Sequence, residues 1–208
     1  MPNWIFPFID PAHSTIDNRN QFEYLMYRPL YWFGDNGQPV IDPAVSLANL
    51  PVYSNGNKTV TITLKPYHWS NGETVTTQDV AFWLNMLAAE RSQWAYYVPG
   101  GLPDNLSGYK ILSPTTIQLS LKTAYSPAYF TNNELSQITP LPLAWDKTSD
   151  SSQGHCATSV SACPAVWKYL HSLSEKVSTY DNSPIWRVVD GPWYLASYQT
   201  TGLSVFKP

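Results

Sequence analysis

Charged residues are scarce in this chain of 208 residues. Only 13% of its residues are Asp, Glu, Lys or Arg, and the formal net charge is −3. Proteins that bind nucleic acids need clustered Lys and Arg to displace counterions from phosphates, and the sequence has no such cluster. The composition therefore argues against a nucleic-acid partner.

Long apolar runs are missing as well. Stretches such as residues 80–87 are interrupted by polar side chains and fall well short of the ~20 apolar residues that a membrane-spanning helix needs. The first residues, MPNW, do not have the basic and then apolar segments of a signal peptide. We therefore expect a soluble chain from which any export signal has been removed or in which none was ever present.

Cysteine occurs only twice, at Cys156 and Cys163 in the polar segment 154–164 (GHCATSVSACP). Paired, these residues would close a short loop, stabilise the fold by roughly 2 kcal/mol and imply an oxidising compartment. Two free thiols in a cytosolic protein are the alternative. A metal site needs further ligands, and although His155 adjoins Cys156, the other three histidines are scattered. We expect a disulfide, no metal and no cofactor.

Aromatic residues reach 14%, and there are 18 prolines. The length is sufficient for one large or two small domains with real cores. Residues 59–64 alternate polar with apolar side chains, which predicts a strand with one buried face. Thr76 and Asp79 have the spacing of a helix cap, and apolar residues between positions 80 and 87 would fill the buried side of that helix. Residues 111–121 predict two strands around a turn.

Other segments complete a mixed α/β pattern without a repeat. Pro29 should end the helix that precedes it, because proline disfavours the α conformation in the residue before it. A tight turn is expected at residues 69–72. The remaining predictions are strands at residues 4–8, 30–33 and 202–206, a turn leading into a strand at 188–195, a turn at 34–37, and helices at 20–27 and 165–177.

Four blocks in fixed order resemble the extracellular solute-binding proteins of family 5, which include oligopeptide, dipeptide, nickel and some oligosaccharide receptors. The second block is similar to the family's W-S-D-G-x-P-V-T-A-x-D-V signature. It departs from it at Asn71, at Thr74 and at Thr77, where the family usually has Asp, Pro and Ala. The blocks are residues 26–31 (MYRPLY), 69–80 (WSNGETVTTQDV), 113–119 (SPTTIQL) and 190–195 (DGPWYL).

The resemblance implies a mixed α/β (α+β) fold of the type II periplasmic-binding-protein class. It implies a first lobe made of residues 1–41 and 143–208, with an inserted α+β domain at 42–142. Family members continue into a second ligand-binding lobe, so the resemblance implies that these 208 residues correspond to the first lobe and its inserted domain only. They close two lobes over a solute, so that the ligand shifts the population towards the closed form, and deliver it to the permease subunits of an ABC transporter. The full-length protein is therefore expected to be extracellular or periplasmic, and tethered to the outer face of the membrane.

The same resemblance points to candidate ligand contacts. In peptide-binding relatives the ligand main chain pairs with a strand-like segment, which corresponds here to Ser14, Thr15, Ile16 and Asp17. An ordinary loop whose Ser and Asp cap a helix is the alternative. Relatives also place an aromatic residue at the cleft, and the positions that match are Tyr96 and Tyr97. Core packing is the alternative for those two.

Several other functions stay open at this point. An oligosaccharide receptor would use the nine tryptophans as stacking platforms, and a sensory receptor would signal without transport. A secreted hydrolase would need a nucleophile with a base or a pair of carboxylates, but no Gly-x-Ser-x-Gly elbow occurs. His155 and His171 have no obvious serine partner in the sequence, and Asp10 and Asp17 suit turns and caps. We therefore expect a binding protein and not an enzyme, although a structural or adhesive module is excluded only by the resemblance.

Overall fold

The computed structural model describes residues 25–35, 38–94, 96–199, 201 and 203–208. The expected strand at residues 4–8 and most of the expected helix at 20–27 lie outside this part of the chain. The helices are α1 (Thr77–Glu90), α2 (Pro127–Asn133) and α3 (Cys163–Ser174). The strands are β1 (Trp32–Asp35), β2 (Gln38–Asp42), β3 (Val52–Ser54), β4 (Thr59–Thr63), β5 (Leu106–Ser113), β6 (Thr116–Leu121), β7 (Lys147–Ser149), β8 (Ser152–Gln153), β9 (Tyr194–Tyr198) and β10 (Ser204–Lys207).

The largest sheet has four antiparallel strands in the order β3-β4-β6-β5. The alternation predicted for residues 59–64 is confirmed, because Val60 and Ile62 of β4 are buried while the threonines between them are half-exposed. Strand β6 repeats this pattern with Ile117 and Leu119, which lie opposite Ile62 and Val60 in the register. One face of the sheet is therefore a continuous apolar layer.

Helix α1 forms the centre of the core, with ten of its fourteen residues buried. Thr76 begins it with a capping box, as the sequence predicts: the Thr76 hydroxyl accepts from the N–H of Gln78, and the Asp79 carboxylate accepts from the N–H of Thr76. The helix packs on β5 and also on α3. Because it is apolar on almost every side, it must be covered from several directions.

The first described segment forms a β-hairpin of β1 and β2. Its strand begins at Trp32 and continues through Asp35, later than the predicted 30–33, while Leu30 and Tyr31 precede it and are fully buried. The register shifts between Phe33 and Asp35, which accommodates Gly34 at a φ of 113°. Residues 34 and 35 of the expected turn at 34–37 belong to β1, and residues 36 and 37 lie outside the described part of the chain. The preceding helix includes Leu25 and Met26 and stops before Pro29, as expected.

Helix α3 spans Cys163–Ser174, which corrects the predicted range of 165–177. It begins earlier because Pro164 fits the first turn of a helix, where no partner for its missing N–H is required. It ends earlier because Lys176 has left the helical region, with a φ of −99° and a ψ of 96°. The buried face of α3 contains Cys163, Val166, Leu170 and Ser174.

The C-terminal part forms a second hairpin, in which β9 pairs antiparallel with β10. Strand β9 begins at Tyr194, as expected from the predicted turn into a strand at 188–195, and the predicted strand at 202–206 is β10. Between α3 and this hairpin, Trp186 packs edge-on against Trp145 with ring centroids 5.2 Å apart. Trp145 in turn contacts Tyr27 at 5.5 Å, so the two ends of the described chain share one aromatic core.

Candidate functional site

The four sequence blocks of the resemblance are joined by hydrogen bonds in two pairs, the second with the third and the first with the fourth. Thr77 of the second block donates its N–H to Pro114 and its hydroxyl to Ser113, both in the third block. The N–H of Arg28, in the first block, donates to the Asp190 carboxylate of the fourth at 2.9 Å. These blocks therefore form a structural junction within the fold.

Ser70 connects the second block to the segment that precedes the fourth. Its N–H donates to the carbonyl of Val189 at 2.7 Å, and its hydroxyl accepts from the N–H of Val189 at 3.1 Å. The same hydroxyl donates to the carbonyl of Arg187. The turn that carries Ser70 closes through a bond from Gly72 N–H to Trp69, with Gly72 at a φ of 89°, as predicted for residues 69–72.

Asp79 is the most fully hydrogen-bonded residue of this junction. Its Oδ2 accepts from the N–H and the hydroxyl of Thr76, and its Oδ1 accepts from the indole of Trp69 and from the N–H of Leu143, both at 3.1 Å. Burial raises the pKa of Asp79 to about 6, against the opposing effect of these donors. With every oxygen committed, this carboxylate supports the fold and does not face a ligand.

A different surface appears at the C-terminal end of α1. A short 3₁₀ turn, Arg91–Gln93, leads to Trp94, which is buried and packs edge-on against Trp83 with centroids 5.6 Å apart. Tyr96 follows and is 44% exposed, while its ring contacts that of Trp94 at 6.1 Å. Thus an exposed tyrosine rests on a buried pair of tryptophans.

Tyr97, the next residue, is held by the protein itself. Its hydroxyl donates to Asp104 at 2.7 Å, and the Arg91 guanidinium lies over its ring at 5.7 Å. Asp104 also accepts from Arg91 at 2.6 Å and from the N–H of Gly100. The hydrogen bond from Tyr97, together with these neighbours, holds the pKa of Asp104 below its usual range, and the same bond raises the pKa of Tyr97.

Glu134 provides a further anchor for this loop. The residue is buried, and its carboxylate accepts from the N–H of Leu102 at 3.1 Å. Residues 91–105 are called the tyrosine loop below. This loop is anchored by Asp104, which belongs to it, and by Glu134, which lies outside it. Neither anchor was predicted from the sequence, because both partners are charged residues in segments that carry no motif.

The structure separates the predicted site residues into two groups. Ser14, Thr15, Ile16 and Asp17 lie outside the described residues, so their proposed contact with a ligand stays a prediction. Tyr96 and Tyr97 are adjacent but differ in surroundings, because Tyr96 presents ring surface to solvent whereas the Tyr97 hydroxyl is bonded to Asp104.

The tryptophans form core more than surface. Of those that the structure describes, only Trp193 is exposed, at 38% of its surface. Five are buried, and Trp32 and Trp167 are half-buried. This distribution removes the argument that tryptophan content indicates sugar-stacking platforms. The buried five are Trp69, Trp83, Trp94, Trp145 and Trp186.

The two cysteines, Cys156 and Cys163, are joined in a disulfide, the pairing expected from the sequence. Both residues are buried, and the N–H groups of Cys156 and Ala157 donate to the two carboxylate oxygens of Asp146. Asn85 of α1 donates to the carbonyl of Cys156 at 2.7 Å. The segment 146–163, called the cysteine loop below, is thereby fixed to the central helix.

No three His, Cys, Asp or Glu side chains in the described ranges come together as possible metal ligands. Nor does any helix within them combine the length and the apolar character needed to cross a bilayer.

Comparison with known proteins identifies relatives of this architecture. The family model for bacterial extracellular solute-binding proteins, family 5 Middle, matches residues 42–207. No curated protein matches the chain. Among solved structures, NikZ from Campylobacter jejuni in complex with Ni(L-His) is 19% identical with a TM-score of 0.61, and the alignment covers 98% of this chain and 32% of that one.

Two further structures give the same result. The oligopeptide-binding protein AppA from Bacillus subtilis, in complex with a nonapeptide, is 17% identical with a TM-score of 0.60, covering 93% of this chain and 32% of its own. NikA from Brucella suis, in complex with Fe(III)-EDTA, is 17% identical with a TM-score of 0.60, covering 95% and 34%. The chain thus spans about a third of the length of each.

These likenesses show the fold, which is that of part of a type II periplasmic binding protein. The family consists of extracellular solute-binding proteins and is not a family of enzymes. Because its model matches most of the chain, this protein belongs to the bacterial extracellular solute-binding proteins of family 5.

Proposed function

We propose that this chain is part of the substrate-binding component of an ABC import system, and that it binds a peptide or a similarly small solute and presents it to membrane permease subunits. Family membership over residues 42–207 supports the solute-binding role. The relatives bind varied ligands, since AppA holds a nonapeptide and NikZ holds Ni(L-His). Peptide is the ligand class that we propose, as in the oligopeptide-binding protein AppA.

The ligand lies in a cleft between two lobes, of which this chain provides one wall. Residues 1–41 and 143–208 form the lobe and residues 42–142 its inserted domain. The opposite wall corresponds to the part of the relatives that this chain does not cover, and the protein works at the outer face of the cell membrane. Closure of the two walls over the ligand is the event that the permease senses.

The observation that carries the proposal is the exposed ring of Tyr96 on an anchored loop. A tyrosine supplies a large contact area at low entropic cost and keeps a polar tip for hydrogen bonding. Tyr97 contributes indirectly, because its hydrogen bond to Asp104 holds the loop in position. Ser14, Thr15, Ile16 and Asp17 supply main-chain pairing to the ligand.

The first experiment identifies the ligand. Full-length protein is purified under native conditions and denatured, and the released small molecules are weighed by mass spectrometry. Short peptides are expected. The release of oligosaccharides alone would contradict the ligand class while leaving an import role in place, whereas turnover of chromogenic esters or glycosides would contradict the binding role itself.

The second experiment tests the site with a random nonapeptide pool as the probe. Tyr96→Ala should weaken binding of the pool about tenfold, which corresponds to ~1.4 kcal/mol. Tyr129→Ala is the matched control, since Tyr129 of α2 is also exposed, at 51%. Calorimetric titration of both variants measures the difference. Equal affinities for wild type and Tyr96→Ala would show that Tyr96 is not a contact.

A further inference from the structure

Asp190 is a buried carboxylate whose two oxygens have different surroundings. Oδ1 accepts the N–H of Arg28 at 2.9 Å, whereas Oδ2 is buried and has no hydrogen-bond donor among the described residues. The residue as a whole is only 7% exposed. A buried carboxylate oxygen without a donor is costly while the group is charged and far less so when it is protonated.

The nearest cation does not compensate this charge directly. The Arg28 guanidinium donates to two backbone carbonyls, that of Asp190 at 3.1 Å and that of Val45 at 3.2 Å, and it stacks over the Tyr67 ring at 5.1 Å. It therefore lies beside the Asp190 carboxylate without forming an ion pair with it. The attraction of the Arg28 guanidinium for the Asp190 carboxylate offsets only part of the cost of burying that charge.

A second buried carboxylate, Asp79, acts on Asp190 from α1 and opposes its ionisation. The other charged groups near this junction are directed elsewhere. Lys65 donates to the carbonyls of Pro43 and Ser46, and the Arg187 guanidinium donates to the carbonyl of Asp181. On the turn that holds Trp69, the ionisable side chains His68 and Glu73 are exposed to solvent.

The backbone around Asp190 has little room to relax. The N–H groups of Asp190 and Gly191 both donate to the carbonyl of Met26, and that of Trp193 donates to Leu25. A Cβ at position 191 would collide with the Leu25 carbonyl oxygen and with the Met26 backbone. The backbone on both sides of the Asp190–Gly191 peptide is therefore packed closely against residues 25 and 26.

We propose that Asp190 is a proton-sensitive latch, which holds the segment before β9 against Met26 and Arg28 when protonated and loosens this junction when it ionises. The latch connects the first sequence block to the fourth, so its state determines how firmly the C-terminal hairpin is attached to the N-terminal segment. Desolvation on burial, with the added repulsion from Asp79, raises the pKa of Asp190 to about 7, despite the bond from Arg28. The latch therefore operates near neutral pH.

The sign of the effect follows from proton linkage. In the unfolded chain an aspartate titrates near pH 4, so between about pH 4 and 7 the folded protein holds one proton more than the unfolded protein. Stability from this group is fully present below about pH 4 and is lost as the pH rises through 7. In that window the unfolding constant rises by up to about tenfold for each pH unit.

The experiment measures thermal and urea unfolding of the purified protein from pH 5 to pH 8. Asp190→Asn keeps an acceptor for the Arg28 N–H and removes the charge, so its unfolding constant should change less with pH between pH 5 and 7 than that of wild type, and its midpoint at pH 8 should lie above that of wild type. Asp181→Asn is the control, because Asp181 is half-buried and accepts the N–H of Tyr198. That variant should keep the wild-type dependence.

A second measurement uses the wild-type protein, so it does not depend on whether the variant folds. The side-chain carboxyl carbon of Asp190 is followed by NMR in wild type, with an expected midpoint near pH 7. Exchange of the Gly191 amide, corrected for its intrinsic pH dependence, should accelerate in parallel. A midpoint near pH 4, or an Asp190→Asn variant whose unfolding follows the wild-type pH dependence, would overturn the latch.

Discussion

The tyrosine loop and the cysteine loop are both long connecting segments that an aspartate anchors, but the two aspartates lie in different surroundings. Asp104 meets its partners near solvent, with the Arg91 side chain 53% exposed and that of Asp104 24% exposed. Asp146 is buried at 3% and receives one backbone N–H on each oxygen. Only the cysteine loop also carries a covalent link.

This difference indicates what each loop contributes. Contacts between exposed charges are weak and screened by salt, so the Asp104 anchor adds little rigidity to the tyrosine loop. The backbone donors of the cysteine loop have no access to water, so losing their acceptor is costly. The cysteine loop is thus a support for α1, and the tyrosine loop, at the end of the same helix, is the surface that we propose for ligand binding.

The largest effect should come from removing the buried acceptor. Asp146→Asn leaves one oxygen for two backbone donors and turns an amide NH₂ towards the N–H of either Cys156 or Ala157. We expect a loss of about 2 to 3 kcal/mol in the free energy of unfolding, measured by urea denaturation. Asp104→Asn is the same chemical change in the exposed loop and serves as the control. Equal midpoints for the two variants would remove the distinction between the loops.

The disulfide should have the next largest effect. Replacing both Cys156 and Cys163 by Ala should cost about 2 kcal/mol, because the cross-link restricts a short loop of the unfolded chain. When combined with Asp146→Asn, the loss should be less than the sum, since both changes act on one loop. Alkylation of unfolded, unreduced protein should label no thiol, as read by intact mass. Two labels would show that the link does not form.

Local sequence patterns predicted those elements of the fold that depend only on residues close together in the sequence. The strand at 59–64 and the Thr76 cap depend on neighbours within six residues, so alternation and spacing were sufficient. The predicted start of α3 lies too late in the chain, although Pro164 is typical of a first helical turn. The prediction follows the spacing of the apolar residues, which begins after this proline.

Long-range contacts of the site could not be predicted in this way. Asp79 was recognised as part of a cap, but its bond to Leu143 joins residues 64 positions apart. Tyr96 and Tyr97 are equivalent in sequence, and only the position of Asp104 distinguishes the exposed ring from the anchored one. The raised pKa of Asp190 likewise could not be predicted from neighbouring residues, because Arg28 and Asp79, which act on it, lie in distant segments.

The smallest effect on stability, with a larger one on binding, is expected for Asp104→Asn. The asparagine still accepts from Tyr97 but loses the charge that attracts Arg91, so the unfolding midpoint should fall slightly, and less so at high salt. Because Asp104 has a lowered pKa, its stabilisation is present above the ordinary aspartate range and is lost as the pH falls through the lowered value. The difference between variant and wild type should therefore disappear in strong acid.

Binding of the nonapeptide pool separates positioning from stability in the same variant. A loop that holds Tyr96 less firmly must be ordered by the ligand, so affinity should fall severalfold. Asp150→Asn is the matched control, because exposed Asp150 accepts the hydroxyl of Tyr169 at 2.7 Å outside the tyrosine loop. It should lower stability by a comparable amount and leave binding unchanged. If both variants bind the pool equally well, Asp104 contributes only to stability and the tyrosine loop does not depend on it for its function.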